Sequence, residues 1–311
     1  MENRWIKIGA LGLVLALAAG LRFANLSRAA VRSDEINFLN YVERNQSLVD
    51  LWKTPPWFNQ IPLADSVPIV WARLTRQAAS EAVIRQPFAL LGWLTVAFGA
   101  LWATRRRGLG AGLLLGAWLA ILPFHVYHSR EAYYYVLVMT CSAGMAWRGA
   151  DFAAKLRGGG RVLAREYAEW TAWTLLACMG HMSVWVVAGV AWLVLAGSGW
   201  TGQSAAGRKR HGVAMGLVAA ALAAGLIRWV LRALYEMKRA AADPSAHIGS
   251  AFDFVGPRVL PFFAGGANAI GIAILAAVPV RPGAHDRRPQ DREGDRPAAG
   301  QAVVCGISRP D

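Results

Sequence analysis

Residues 81–108 read EAVIRQPFALLGWLTVAFGALWATRRRG. Between Val83 and Thr104 the only charge is Arg85, and Arg105, Arg106 and Arg107 close the run. A helix crossing the hydrocarbon core of a bilayer needs about 20 predominantly apolar residues, and cytoplasmic flanks are rich in Lys and Arg. The stretch therefore reads as a spanning helix over 83–104 with its basic end inside. Similar runs occupy 5–22, 108–126, 131–148, 212–233 and 258–280. Residues 168–198 are too long for one straight span and hold GHMS at 180–183, which predicts a helical hairpin turning near Gly180 and His181. The expected fold class is all-α: a polytopic helical membrane protein with about eight transmembrane helices.

Composition points the same way. The 311 residues are 55% hydrophobic, with 14 Trp and a mean hydropathy of +0.32, richer in apolar runs than a soluble domain. Lys and Arg total 33 against 19 Asp and Glu, a net charge of +14. The arginines flank apolar segments and form no single basic face. That pattern excludes nucleic acid as the expected partner and favours membrane lipids. Cys141, Cys178 and Cys305 are scattered and fit neither a metal pattern nor a disulfide framework. Arg4 and Lys7 before IGALGLVLALAAG resemble a signal peptide, but the spans that follow favour an uncleaved first helix.

Charge also sets the expected topology. With the N-terminus inside, the basic loops 105–107, 148–167 and 199–211 are cytoplasmic, and the long stretch 23–80 is an external loop. Lys238 and Arg239 then fall outside, against the rule. Residues 61–77, IPLADSVPIVWARLTRQ, carry Pro62, Asp65, Pro68 and two Arg. They read as an interfacial helix, because a span there would invert every later loop. Residues 281–311 hold no Leu, Phe, Trp, Tyr or Met and are expected to be a disordered cytoplasmic tail, or the product of a truncation or altered frame. The expected organisation is thus a transmembrane domain over 1–280 and a tail over 281–311.

In a chain this poor in acid, RSDEINFL at 32–39 places Asp34 and Glu35 side by side just after the first apolar run. The bland reading is a helix start. Two further stretches bear on it: EAVIRQPFALLGWLTVAFGALWATRRRG, 81–108, and ILPFHVYHSREAYYYVLVMT, 121–140. Together with LRFANLSRAAVRSDEINFL, 21–39, their order and spacing resemble the GT-C membrane glycosyltransferases. The nearest group is the dolichyl-phosphate-mannose protein mannosyltransferase-like family (glycosyltransferase family 39-like), which includes the aminoarabinose transferases of lipid A. The resemblance covers about 20–200 and implies a cell inner or plasma membrane enzyme with its active site on the periplasmic or extracellular side. Such an enzyme moves a sugar from a polyprenyl-phosphate donor to a hydroxyl of a lipid, glycan or protein acceptor. The family's acidic pair falls on Asp34 and Glu35. Its Glu-Ala-Arg-x-Tyr falls on Glu131, Ala132, Tyr133, Tyr134 and Tyr135, so Tyr133 stands where relatives have Arg, and neighbouring Arg130 is the candidate substitute. A His of the following external turn matches His181. Members are usually longer, with more spans.

The chemistry gives these residues roles. Sugar transfer needs a base for the acceptor proton and a cation for the departing lipid phosphate. Asp34 is the expected base, and Glu35 the group that positions acceptor or metal. Arg130 is expected to hold the donor phosphate, with Glu131 orienting it, and Arg85 and Arg228 are further candidates. The bland reading of Arg85, Arg228 and Arg232 is snorkelling to the interface. His128, Tyr133, Tyr135 and His181 are candidate substrate contacts, although the three tyrosines 133–135 also fit an interfacial aromatic belt. A divalent metal at His125 and His128 would need further ligands, and no other cofactor is implied. RGGGR at 157–161 is a flexible turn without the context of a phosphate loop. The competing functions are a membrane transporter or lipid flippase, which calls for interrupted helices or a repeat, and an inactive truncated GT-C fragment.

Overall fold

The computed structural model describes residues 2–28, 30–54, 61–200 and 203–242. The expected last span, 258–280, and the tail, 281–311, lie outside the described residues. Those described are helical, with no strand among them. In chain order the helices are α1 (Glu2–Phe23), α2 (Ser33–Glu43), α3 (Leu48–Lys53), α4 (Leu63–Thr75), α5 (Glu81–Arg107), α6 (Leu109–Ile121), α7 (Pro123–Ser129), α8 (Tyr134–Arg157), α9 (Ala164–Gly180), α10 (Val184–Ser198) and α11 (Ala205–Ala242).

Local chemistry sets the boundaries. Ser80 caps α5 by accepting from the Val83 amide at 3.3 Å, and Gly108, at φ +87°, ends it in a conformation that favours glycine. Pro123 cannot continue α6, and the residue before a proline is pushed out of the helical region. Leu122 accordingly turns extended, at φ −57° and ψ 113°, and α7 departs from α6 by 61°. The single span expected over 108–126 is therefore a broken one. The hairpin turn expected near Gly180 and His181 falls where α9 ends, with His181 extended at ψ 144°. Two loops expected to be irregular are partly helical: α8 runs on to Arg157, and α11 already contains Arg208–Arg210.

Two helices, Glu81–Arg107 and Ala205–Tyr235, are long and apolar enough to cross a membrane, and the bent pair α6–α7 makes a third if counted as one span. The apolar parts of α1 and α10 are shorter. The described residues thus show fewer such helices than the eight spans expected, because the run 108–126 is broken, the apolar parts of α1 and α10 are short, and 258–280 lies outside them. Helix α4, at 13 residues, is about 20 Å long, too short to span. It does not lie free on a surface: Ala64, Asp65, Pro68, Ile69 and Ala72 form a buried stripe against the bundle.

The core is built where α5 packs on α6 and on α1, and α8 on α9. One cluster centres on Trp170, Phe152 and Met215, and a smaller one joins Phe38 of α2 to Phe88 of α5, with Ala132 and Val136. The two ends of this bundle differ in chemistry. At one, Arg106 pairs with Asp151 at 2.7 Å, Lys155 with Glu166 at 2.8 Å, and the basic start of α11 adjoins α9 through Tyr167 and His211 at 2.8 Å. At the other, the C-terminal ends of α1, α7 and α9 meet the N-terminal ends of α2, α5 and α8.

Candidate functional site

The second end is organised by arginines buried among helix termini. Arg22, the penultimate residue of α1, is fully buried. It donates to the Ala18 carbonyl at 3.1 Å and, on α6, to the Leu119 and Ala120 carbonyls at 2.9 and 3.1 Å. The break at Pro123 frees those carbonyls, and a cation suits the negative end of a helix. Arg22 also donates to His125 Nδ1 at 2.7 Å, which makes Nδ1 an acceptor. Ser129 locks the same turn by donating to the His125 carbonyl at 2.5 Å. Helix α5 approaches closely here: a Cβ on Gly92 would meet Ser129 Cβ at 2.6 Å and Arg22 Nε at 3.2 Å.

Glu35 and Arg85 form the second anchor, each about 2% exposed. Arg85 Nε donates to Glu35 Oε1 at 2.8 Å and Nη2 to Oε2 at 2.6 Å. The remaining lone pairs are also engaged: the Ala132 amide donates to Oε1 at 2.7 Å and the Arg32 amide to Oε2 at 3.1 Å. Arg85 further donates to the Leu26 and Ala30 carbonyls at 2.7 and 3.1 Å. Burial alone would raise the Glu35 pKa, but Arg85 and the two amides outweigh it and hold the carboxyl below its usual range. The pair thus ties together the end of α1, the start of α2, the start of α5 and the turn before α8. Arg85 does not snorkel, as its place near a helix end suggested; its planar fork is used up inside the protein.

Above this anchor lies a more open group. Arg32, 61% exposed at its side chain, pairs with Glu131 at 2.7 Å and lies 4.9 Å from the centre of the Tyr127 ring. His128 Nδ1 lies 3.1 Å from the other Glu131 oxygen. Burial would raise the Glu131 pKa, yet His128, Tyr127 and Arg32 keep it below the usual carboxylate range. Aromatic rings surround the group. His128 lies 4.5 Å from Tyr135 and 4.4 Å from Phe124. Tyr133, Tyr134 and Tyr135 lie 4.3 to 5.0 Å apart, and Tyr134 stacks on His181 at 4.5 Å. Burial pushes the His181 pKa down to about 4, and its Nδ1 bonds Ser183 Oγ at 2.9 Å.

Of the residues singled out in sequence, Glu35, Arg85, Glu131, His128, Tyr133, Tyr135 and His181 gather at this end. Asp34 stands in the first turn of α2 between Arg32 and Glu35, and its side chain lies outside the described residues. Arg130 is present but occupied: it donates to the Ala24 carbonyl at 2.9 Å and the Leu21 carbonyl at 3.4 Å, closing the C-terminus of α1. Arg228 is not brought here. It donates to the Trp52 and Lys53 carbonyls at 3.1 and 3.3 Å, at the end of α3. Sequence reasoning passed over Arg22, Arg32 and Tyr127. Arg22 was hidden as an ordinary helix flank, because its burial and its closeness to the Pro123 break come only from packing. Among the described residues no three His, Cys, Asp or Glu side chains gather closely enough to hold a metal ion. The Arg22 guanidinium already occupies His125 Nδ1, so that nitrogen is closed to a cation. No protein family, curated protein or solved structure matches the chain.

Proposed function

We propose that the chain is a membrane glycosyltransferase of the GT-C type, transferring a sugar from a polyprenyl-phosphate donor to an acceptor hydroxyl. One observation carries this reading. A fully engaged Glu35–Arg85 pair holds the first turn of α2, whose backbone carries Asp34, next to an exposed arginine, a carboxylate–histidine pair and a set of aromatic rings. The two adjacent acids therefore divide the work. Glu35 is the anchor, and Asp34 is the base that takes the proton as the acceptor oxygen attacks the anomeric carbon. The bond from that carbon to the lipid phosphate breaks, and the phosphate leaves with the electron pair. Arg32, held by Glu131, is the cation for that charge, and Arg130 supports it from the α1 terminus. Tyr133, Tyr135 and His128 offer ring faces to the sugar. The basic loops at the opposite end of the bundle support an outward-facing site in the inner or plasma membrane under the positive-inside rule. The eight-span topology, with both termini inside, belongs to the same proposal.

The test is a transfer assay in membranes with a panel of radiolabelled polyprenyl-phosphate sugars. Asp34→Asn keeps shape and removes basicity, and is expected to lower turnover by about 10²–10⁴ while the protein stays folded. Near-normal turnover of this variant would overturn the assignment, and a wild-type chain inactive on every donor would favour the inactive fragment. The 61° break between α6 and α7 favours a transporter as second reading, since broken helices hold ions in many such proteins. Against it, the freed α6 carbonyls are already taken by the Arg22 guanidinium, which repels a coupling cation.

A further inference from the structure

The opposite end of the bundle carries a second feature that sugar transfer does not use. Helices α5 and α8, with Trp173 of α9, enclose a groove of ≈ 500 Å³. Its deep end is uncharged. Thr95 and Thr140 bond each other there at 2.7 Å, so the floor asks for no polar partner. Phe98 and Leu101 line it while remaining 47% and 38% exposed. Trp147 stacks on Trp102 at 5.9 Å, which is close to α5 because Gly99 has no side chain: a Cβ there would meet Trp147 at 2.9 Å.

The other end is cationic. Arg105, Arg106 and Arg148 line it against one carboxylate, Asp151. Asp151 accepts from Trp102 Nε1 at 2.9 Å and pairs with Arg106 at 2.7 Å, with Arg148 at 3.8 Å. Arg148 also pairs with Glu169. Arg105 is exposed and makes no ion pair among the described residues. Asp151 therefore acts as a spacer that holds two guanidiniums at the mouth without neutralising the third. From Thr95 to Arg106 the groove runs roughly 16 Å along α5, enough for a headgroup and the first part of an acyl chain.

We infer that this groove binds a membrane glycerophospholipid of net negative headgroup charge, with its phosphate at Arg105, Arg106 and Arg148 and its chain along Phe98, Leu101 and Trp173. The occupant is an anionic lipid because Asp151 and Glu169 balance two of the three guanidiniums and leave the charge of Arg105 over, which a zwitterionic headgroup, bringing its own cation, does not need to meet. The inference rests on the membrane part of the proposed function and not on sugar transfer.

The experiment uses the full chain in mild detergent with equimolar phosphatidylglycerol and phosphatidylcholine of identical acyl chains, read by native mass spectrometry. Wild type is expected to retain the anionic lipid at least about fivefold over the zwitterionic one, the selectivity one arginine supplies near a headgroup. Arg105→Gln and, separately, Leu101→Glu are each expected to lower that ratio about fivefold; both sites are exposed, and unchanged tryptophan fluorescence checks the fold. Lys209→Gln/Arg210→Gln, on the exposed start of α11, is expected to leave the ratio unchanged. Equal retention of the two lipids by wild type overturns the inference, as does an equal fall in the α11 control, which would mean diffuse charge. A chain released from membranes by alkaline carbonate fails the membrane reading itself, whereas one that stays but shows no lipid bias fails only the groove.

Discussion

Arg85→Met tests whether the Glu35–Arg85 pair is the anchor of the candidate site. Methionine keeps much of the arginine stem and removes the guanidinium. Among its bonds to described residues, two to Glu35 and two to the Leu26 and Ala30 carbonyls disappear. Glu35 then remains buried with only the Ala132 and Arg32 amides as donors. Breaking a buried pair from one side costs about 3–5 kcal/mol, because the orphaned charge keeps its desolvation penalty. For a domain of this size that is a fall in Tm on the order of 10 °C, measured by tryptophan fluorescence in detergent. Glu35→Leu/Arg85→Met is expected to cost less than the sum of the single changes, since neither charge is left alone. The pH dependence supplies a second check. In wild type the Glu35 carboxyl titrates below its usual value, so its contribution is present above the unfolded pKa and is lost as pH falls through the folded one. In Arg85→Met burial dominates and raises that pKa, so the neutral acid is favoured and the variant loses stability as pH rises. The gap between the two proteins should therefore narrow from pH 7 to pH 4. A variant within about 1 kcal/mol of wild type at pH 7, or a gap that does not change with pH, would refute the reasoning.

Gly92→Ala puts a methyl into contact with Ser129 and is expected to destabilise by about 1–3 kcal/mol, with the proposed sugar transfer falling as the turn carrying Glu131 shifts; a silent Gly92→Ala in both assays would contradict the close approach of α5 and α7. Arg22→Met strips the Leu119 and Ala120 carbonyls of their side-chain donor, at on the order of 3 kcal/mol, and should speed amide exchange in α7 more than in α9. Arg22→Lys restores only part of this, because an ammonium lacks the guanidinium fork. His181→Asn addresses pH. Burial pushes the wild-type ring down to about 4, below the unfolded value of about 6.5, so the neutral ring contributes stability above pH 6.5 that is lost as pH falls towards 4. The Tm difference between wild type and His181→Asn should shift against wild type between pH 7 and pH 5, and a constant difference would count against burial of the ring.

The helical class, the break at Gly180–His181 and the failure of 61–77 to span follow from the sequence alone, because they depend on local quantities: apolar run length, proline and glycine positions, and charge. That Glu35 meets the turn at 131–132 was implied there only by the resemblance, and not by any local pattern. What sequence could not decide was which arginine does what. Arg22, Arg85, Arg130 and Arg228 all stand near helix ends and look alike as flanks. Tertiary structure separates them, closing a broken helix with Arg22, pairing Arg85 to a carboxylate 50 residues away, capping α1 with Arg130 and sending Arg228 to α3. It likewise engages Glu35 as an anchor, which the sequence could not tell from its neighbour Asp34. Successive positions of a helix point in different directions, and the partners that engage Glu35 come from segments brought together only by packing.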